Sequence, residues 1–251
     1  MNDAWHVTLI TLLAAPFIGS FIGVVVHRLP DHRPIIAGRS VCDHCARTLG
    51  FRDLVPVLSW AASRARCRHC GAAISVFYPL TELGALVIAA WAVALVSGEI
   101  LIATAVFGWM LLTLALIDAR TQLLPDSLTL PLVAAGLGFA FMLDRDALVA
   151  HFVGAAAGFA VFAVIGYTYQ AISGRAGLGL GDAKLLAALG AWVSWTGLPT
   201  VVLYAGAAGL IYVLMRAWAG QPLTAHDRVP FGPFLALGGW LVWLYGPVTF
   251  T

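Results

Sequence analysis

Two aspartates stand at the edges of long apolar segments, where charged residues are costly. Asp118 lies in the stretch LALIDARTQLLPD, at the end of one apolar segment, and Asp182 lies in GLGLGDAK, at the start of another. An acidic residue at a membrane boundary is a functional candidate by default. Two close carboxylates resist ionising together, so one can keep a proton as general acid while the other activates water. Such a pair could hydrolyse a peptide bond without a covalent nucleophile.

The acidic residues in these two stretches also have structural interpretations. Asp182 could cap a helix that we expect to begin near Ala183, because Asp accepts hydrogen bonds from the free N–H groups of a first helical turn. Asp126 follows Leu-Pro and precedes a helix expected from Ser127 onward. We therefore predict that Asp126 is mainly a helix cap, whereas Asp182 is catalytic.

The sequence around Asp182 is rich in glycine. Gly177, Gly179 and Gly181 would let the backbone approach a substrate closely and adopt positive φ angles. Lys184 could pair with a carboxylate or reach a lipid phosphate. The stretch lacks the GK[ST] ending of a P-loop, so we do not expect it to bind phosphate in that way. We expect Gly179, Gly181 and Lys184 instead to support a substrate-binding loop.

All four cysteines of the chain lie in one polar stretch and form two pairs, CDHC and CRHC, separated by 21 residues. They are Cys42, Cys45, Cys67 and Cys70. Each Cys-x-x-Cys turn offers two thiolates to one ion, and two turns complete the tetrahedral coordination that zinc prefers. Two disulfides are the alternative, but the topology predicted below places the stretch in the reducing cytosol. His44 and His69 lie inside the pairs and should either face solvent or lie next to the thiolates without binding the metal.

The composition indicates a membrane protein. Hydrophobic residues make up 61% of the chain and charged residues 10%, with a mean hydropathy of +0.92, which excludes an ordinary soluble domain. Eight stretches approach the roughly 17–25 apolar residues needed to cross a bilayer. They lie at about 7–27, 78–97, 100–117, 127–143, 147–172, 183–198, 200–217 and 230–249. Because these stretches lack the alternating pattern of a barrel, we predict an all-α polytopic protein with about eight transmembrane helices.

The basic residues predict the orientation of these helices. If the N-terminus faces outward, 13 of the 14 Lys and Arg residues fall in inner connections and only Arg145 falls outside. Positive residues concentrate in cytoplasmic loops. Both termini should then face the periplasm, and both aspartates should lie at the cytoplasmic face. The first segment ends in HRLPDHRP rather than in a small-residue cleavage site, which predicts a retained anchor.

Residues 28–77 form the one long polar insert and carry eight of the fourteen basic residues. Membrane insertion and anionic lipid headgroups account for this positive charge. We therefore expect contact with the lipid bilayer and no nucleic-acid partner.

Five motifs, in this order along the chain, resemble those of type IV prepilin peptidases, the bifunctional leader peptidases and N-methyltransferases of type IV pilus and type II secretion systems. The motifs are GSFIGVVVHRLP (Gly19–Pro30), RCRHCGAAISVFYPLTEL (Arg66–Leu83), IDARTQLLPDSLTLPL (Ile117–Leu132), GLGLGDAKLLAALGAW (Gly177–Trp192) and VPFGPFLALGG (Val229–Gly239). The two cysteine pairs resemble the zinc insert of that family. Gly23 stands where the family usually has Asn, and Ala65 stands where it commonly has Gly.

The resemblance implies that Asp118 and Asp182 are the catalytic dyad of a GxGD-type aspartic protease in the bacterial inner membrane. It implies cleavage of a short basic leader from a prepilin or pseudopilin on the cytoplasmic side, after a glycine. Methylation of the new N-terminus with S-adenosylmethionine is implied by the resemblance alone. Glu82 could attract the leader or the amino group of the substrate, or could instead interact with the helix dipole as a first-turn acid.

The hydrophobic pattern and the cysteine pairs, together with this resemblance, predict three parts: a first transmembrane helix at 1–27, a cytoplasmic zinc-binding insert at 28–77, and a seven-helix membrane peptidase domain at 78–251. Two other function classes remain open. Boundary carboxylates could bind cations or relay protons in a transporter. The zinc insert could also be a docking platform in a non-enzymatic assembly factor.

Overall fold

The computed structural model describes residues 4–98, 100–143, 145–174, 179–221 and 229–248. Its helices are α1 (Ala4–Arg28), α2 (Leu58–Ala62), α3 (Phe77–Leu95), α4 (Ile100–Thr121), α5 (Asp126–Leu143), α6 (Leu148–Ser173), α7 (Leu180–Trp218) and α8 (Gly232–Tyr245). A 3₁₀ turn, Phe51–Asp53, precedes α2. The predicted all-α class is confirmed.

Six helices among the described residues are long and apolar enough to cross a membrane, namely α1, α3, α4, α5, α6 and α7, and α8 is a shorter apolar helix. The 39 residues of α7 would extend about 58 Å as one straight helix, almost twice the hydrocarbon thickness of about 30 Å. The backbone leaves the helical region at Ser194 (φ 59°, ψ 178°), so α7 consists of two helical pieces. The sequence also predicted two segments here, at 183–198 and 200–217, but placed their boundary at residue 199 rather than at Ser194.

The chain divides into two compact units, unit 1 (Met1–Thr113) and unit 2 (Leu114–Thr251). In unit 1, α1 and α3 cross closely at Gly19, where an added Cβ would lie 2.5 Å from the Cα of Glu82. The indole N–H of Trp109, in the first part of α4, donates to the carbonyl of Ala85 at 3.0 Å. The polar insert joins α1 to α3, so unit 1 combines membrane helices with the cysteine-bearing segment.

In unit 2, α6 and the first half of α7 pack backbone to backbone. An added Cβ at Gly154 would lie 2.5 Å from the carbonyl oxygen of Gly190, and one at Gly158 would lie 2.7 Å from that of Leu186. Small residues four apart permit such close helix contact in membranes. The indole N–H of Trp192 donates to the carbonyl of Leu132 in α5 at 2.9 Å. The first half of α7 is therefore packed by α5 and α6, and its first turn carries Asp182.

Candidate active site and metal centre

Asp118 lies in the last turn of α4 and meets the start of α8. Its side chain is buried, and its Oδ2 accepts the backbone N–H of Gly232 at 2.9 Å. The first N–H groups of a helix have no partner within the helix and carry the positive end of its dipole. No side chain at the N-cap position, Phe231, makes a capping hydrogen bond. Asp118 therefore caps α8 from another helix, which fixes the orientation of its carboxylate.

Gly232 must lack a side chain for this contact to form. An added Cβ would lie 2.7 Å from Oδ2 of Asp118 and 2.9 Å from its Cγ. Our sequence reasoning did not identify Gly232 as a site residue. The sequence feature that could have identified Gly232 is its place in the VPFGPF stretch, where a glycine immediately precedes the proline at the second position of a helix.

Asp182 is the third residue of α7, which begins three residues earlier than expected. The N-cap is Gly179, so the interpretation of Asp182 as an N-cap is wrong. The Asp182 carboxylate instead hydrogen-bonds back to the backbone of Gly179. This is the contact that an acidic residue at the third helical position makes in a capping box. The bond orients the carboxylate at the start of α7.

The two aspartates lie near enough for their charges to interact. The loops that carry them also touch, because an added Cβ at Gly181 would lie 3.1 Å from the Cβ of Leu124, in the loop after α4. Four helix ends thus converge: the end of α4 and the starts of α5, α7 and α8. This convergence brings Asp118 and Asp182 together from positions 64 residues apart in the sequence.

The glycines before Asp182 act differently from our expectation. Gly179 has an extended backbone (φ −75°, ψ 145°), and neither Gly179 nor Gly181 adopts a positive φ. The expectation of positive φ at these two positions was wrong, and Gly181 instead provides close contact with Leu124. Gly177 lies outside the described residues.

Lys184 and Asp126 form an ion pair at the edge of this site. The Lys184 Nζ lies 2.6 Å from Oδ1 of Asp126. This confirms that Lys184 pairs with a carboxylate. The capping prediction for Asp126 was wrong, because Asp126 is the first residue of α5 and its carboxylate binds Lys184 instead. The pair joins the start of α5 to the start of α7.

Glu82 lies in unit 1, whereas Asp118 and Asp182 lie in unit 2. It is buried, and its Oε2 accepts the backbone N–H of Val57 at 2.7 Å. The first turn of α3 contains no acidic residue, because α3 begins at Phe77 and Glu82 follows in the next turn. The first-turn dipole interpretation of Glu82 is therefore wrong, and its role in substrate binding stays a prediction.

The four cysteine sulfurs form one cluster. All four Sγ atoms lie within 4.8 Å of one another, and those of Cys42 and Cys70 are 3.8 Å apart. Sulfurs about 2.3 Å from a tetrahedral zinc lie about 3.8 Å from one another. All four cysteines are free, so the disulfide alternative is not found. His44 and His69 are exposed, as predicted.

The two cysteine turns share one backbone geometry. The N–H of Ala46 donates to the carbonyl of Cys42, and the N–H of Gly71 donates to that of Cys67, each at 2.9 Å. Ala46 and Gly71 both have positive φ angles, 53° and 72°. Each turn therefore closes directly after its second cysteine, which keeps both thiols of a pair on the same side of the turn.

Backbone N–H donors also favour the thiolate form of Cys67. The N–H groups of Cys70 and His69 lower the pKa of Cys67 to about 7. The N–H of Ala72 lowers the pKa of Cys70, but burial and the neighbouring thiols outweigh it and raise that pKa to about 11. Since metals bind thiolates, a bound cation would hold all four sulfurs deprotonated.

Both the part of the chain that carries the cysteines and the part that carries the two aspartates match known protein families. Residues 13–96 match the Bacterial Peptidase A24 N-terminal domain, and residues 105–214 match the Type IV leader peptidase family.

Three curated relatives, each named prepilin leader peptidase/N-methyltransferase, match over most of the chain. The one from Burkholderia pseudomallei (strain K96243) is 42% identical, over 91% of this chain and 82% of its own. The relative from Dickeya chrysanthemi is 40% identical, over 91% of this chain and 89% of its own. The relative from Aeromonas hydrophila is 36% identical, over 96% of this chain and 92% of its own. No solved structure matches the chain.

Proposed function

We propose, on the premise that this chain belongs to the type IV leader peptidase family, that it removes the leader peptide from type IV prepilins or type II secretion pseudopilins. The observation that carries the proposal is the convergence of Asp118 and Asp182 at the ends of α4 and α7. The relatives offer no support for the transporter alternative.

The two carboxylates would share the work of hydrolysis. Like charges held close together favour a state in which the pair keeps one proton. The ionised member takes a proton from water, whose oxygen then bonds to the carbonyl carbon of the scissile peptide. The protonated member gives its proton to the leaving nitrogen as the C–N bond breaks. Gly232 orients Asp118 and Gly179 orients Asp182 for these roles.

The substrate geometry follows from the membrane setting. A prepilin is itself a membrane helix with a basic leader in the cytosol, so its scissile bond lies at the inner interface. We place the dyad at that interface of the bacterial inner membrane, with both termini periplasmic. The support is the 13-to-1 distribution of basic residues. A membrane-impermeant thiol reagent should label Arg145→Cys from outside and Ala225→Cys only after permeabilisation, with the parent chain as control. Labelling of both from one side would contradict this topology.

The cysteine cluster would hold one structural zinc, bound by Cys42, Cys45, Cys67 and Cys70. The support is the four-sulfur donor set and its near-tetrahedral spacing. Residues 28–77 then form the zinc-binding insert, residues 1–27 the first transmembrane helix, and residues 78–251 the peptidase domain. Elemental analysis of the purified chain should give one zinc per molecule.

The protein would also methylate the new N-terminal amine of its substrate. The support is the name that the relatives share. S-adenosylmethionine supplies the methyl group in this reaction. Because methyl transfer needs no activated water, we expect an already cleaved substrate to be methylated even when the dyad is disabled.

The test is co-expression with a prepilin, followed by electrophoresis to detect removal of the leader. Asp118→Asn and Asp182→Asn should each block cleavage, since Asn keeps the side-chain size but cannot exchange a proton. Asp146→Asn is the matched control, an exposed aspartate near the start of α6. Near-normal cleavage by either dyad variant, at expression equal to the control, would overturn the assignment.

A further inference from the structure

Unit 2 carries a row of four aromatic rings that spans α6, α7 and α8. The ring centroids of Phe162 in α6 and of Phe231, directly before α8, lie 6.3 Å apart. Those of Phe231 and Phe234 also lie 6.3 Å apart, and those of Phe234 and Tyr212 in α7 lie 5.7 Å apart. Aromatic rings in direct contact have centroids about 4.5–7 Å apart. The four rings, called the aromatic row below, therefore form one continuous surface.

One end of the aromatic row lies beside Asp118. Phe231 is the N-cap of α8, and the next residue, Gly232, donates its N–H to Oδ2 of Asp118 at 2.9 Å. An added Cβ at Gly232 would lie 2.7 Å from the same oxygen, so the backbone directly after Phe231 touches the carboxylate. A peptide bond held at Asp118 therefore lies close to Phe231.

The same end of the aromatic row lies level with Asp182. Phe162 follows Gly158 by one turn of α6, and an added Cβ at Gly158 would lie 2.7 Å from the carbonyl oxygen of Leu186. The contacts of α6 move toward the start of α7 as α6 approaches its own end. One further turn therefore brings Phe162 level with Asp182, which precedes Leu186 by one turn. Phe162 and Phe231 thus lie at the same depth as the dyad.

Exposure falls along the aromatic row toward the dyad. Tyr212 is 37% exposed, whereas Phe162 is only 7% exposed. Phe231 and Phe234, which lie between them, are half-buried. Because α7 is long and apolar enough to cross a membrane, the exposed side of Tyr212 would meet lipid. The aromatic row therefore leads from the lipid-facing edge of unit 2 inward to the dyad.

The surfaces around the dyad differ in charge. The rings of the aromatic row are uncharged, whereas Asp126 and Lys184, at the starts of α5 and α7, form a partly exposed ion pair. The proposed substrate also has a charged and an uncharged part, namely its basic leader and its apolar helix. Burying a charged group among apolar rings is costly, which excludes the leader from the aromatic row. The apolar residues that follow the scissile bond match this surface.

We propose that the aromatic row is the docking surface for the apolar helix of the prepilin, with Phe231 beside the residue that follows the scissile bond. This inference rests on the proposed peptidase function and adds the surface that recognises the membrane segment of the substrate. A substrate embedded in lipid reaches the dyad laterally, and Tyr212 is the first ring that it meets. Since the hydrophobic effect does not drive helix association within lipid, ring contacts and close packing supply the affinity.

The first experiment measures leader cleavage in phosphatidylcholine vesicles that contain the full chain and a prepilin. Tyr212→Ala removes the outermost ring, and we expect KM to rise at least about threefold while kcat stays within about twofold. Tyr212→Phe keeps the ring and should retain the parent KM. Tyr167→Ala is the matched control, because Tyr167 is a 61% exposed tyrosine of α6 outside the aromatic row. A KM for Tyr212→Ala equal to that of the control would overturn docking at this ring.

The second experiment tests the position of Phe231 with two prepilins that differ only in the residue after the scissile bond, Phe or Ala. We expect Phe231→Leu to reduce the preference for Phe, expressed as the ratio of the two kcat/KM values, at least about threefold. A displacement of Asp118 alone would slow both substrates equally and leave this ratio unchanged. An unchanged ratio would therefore overturn the contact between Phe231 and the substrate.

The third experiment locates the bound helix directly. A prepilin with benzoylphenylalanine in the first turn after the scissile bond is irradiated with the Asp182→Asn chain, which should leave the substrate uncut. Adducts should map to peptides that contain Phe231, Phe234 or Tyr212. Adducts confined to α5, while the parent chain cleaves the same prepilin, would overturn the docking surface and leave the peptidase function intact. A parent chain that cleaves no prepilin would overturn the proposed function, together with this inference.

Discussion

The cysteine cluster and the aspartate pair bring their side chains together in opposite ways. Each cysteine pair belongs to one short turn, closed by a hydrogen bond between residues four apart in the sequence. The aspartates come from different helices, and the bond that orients Asp118 joins residues 114 apart. The two cysteines of each pair are thus positioned by local backbone geometry, and the two aspartates by the packing of helix ends. Changes in packing should therefore damage the dyad and leave the cysteine turns intact.

The largest effect should come from the dyad itself. Asp118→Asn and Asp182→Asn should each reduce leader cleavage by at least about 10³-fold, and the double variant should lose little more than either single one. Groups that act as a unit in catalysis are strongly non-additive. Single-turnover cleavage of a purified prepilin measures this. Losses that multiply in the double variant would mean that the two carboxylates act independently.

Gly232→Ala tests whether packing positions the dyad. The new methyl group would collide with the Asp118 carboxylate, and a small displacement of a catalytic group costs up to about 10²-fold in rate. We expect kcat to fall about 10- to 100-fold with little change in KM. Gly206→Ala is the matched control, because an added Cβ there meets no atom within 4 Å. If both variants cleave alike, the contact with Gly232 does not position Asp118.

Cys67→Ser tests whether the cysteine cluster can be disrupted without loss of the dyad's activity. Loss of one buried thiolate should release the metal, since metal binding contributes folding free energy to a segment with few buried apolar residues. We expect faster proteolysis of the insert while the dyad retains cleavage activity. His69→Asn changes an exposed residue of the same turn and should keep its zinc. Full zinc content in Cys67→Ser would exclude Cys67 as a ligand.

Asp126→Asn should have the smallest effect. Its ion pair with Lys184 is partly exposed, and such pairs contribute about 0–1 kcal/mol to stability. Cleavage should therefore fall by no more than about fivefold. A loss comparable to that of Asp118→Asn, at equal expression, would place Asp126 in the catalytic machinery.

The same contrast explains what the sequence could predict. The cysteine cluster was predictable because two CxxC turns contain most of the geometry that zinc requires. The helices were predictable from apolar length, including the division of α7 into two, but the position of the break at Ser194 was not, because the apolar stretch 183–198 runs across it. The capping role of Asp126 was wrong because its partner, Lys184, is 58 residues away. Gly232 was missed because the glycine-proline helix start, although visible in the sequence, does not reveal the contact of Gly232 with Asp118 of α4.

The break at Ser194 has a consequence for the lipid that surrounds the enzyme. Residues 180–193 and the 14 residues of α8 each extend only about 21 Å, and both helices begin at the dyad. Ordinary bilayers have a hydrocarbon thickness of about 30 Å. The first half of α7 is enclosed by protein, so only the partly exposed α8 presents this mismatch to lipid, which must thin beside it or leave the dyad below the lipid surface. We therefore expect faster leader cleavage in vesicles of short-chain phosphatidylcholine than in vesicles of long-chain phosphatidylcholine. The hydrophobic mismatch of one short helix beside the dyad would make acyl-chain length a determinant of catalytic rate.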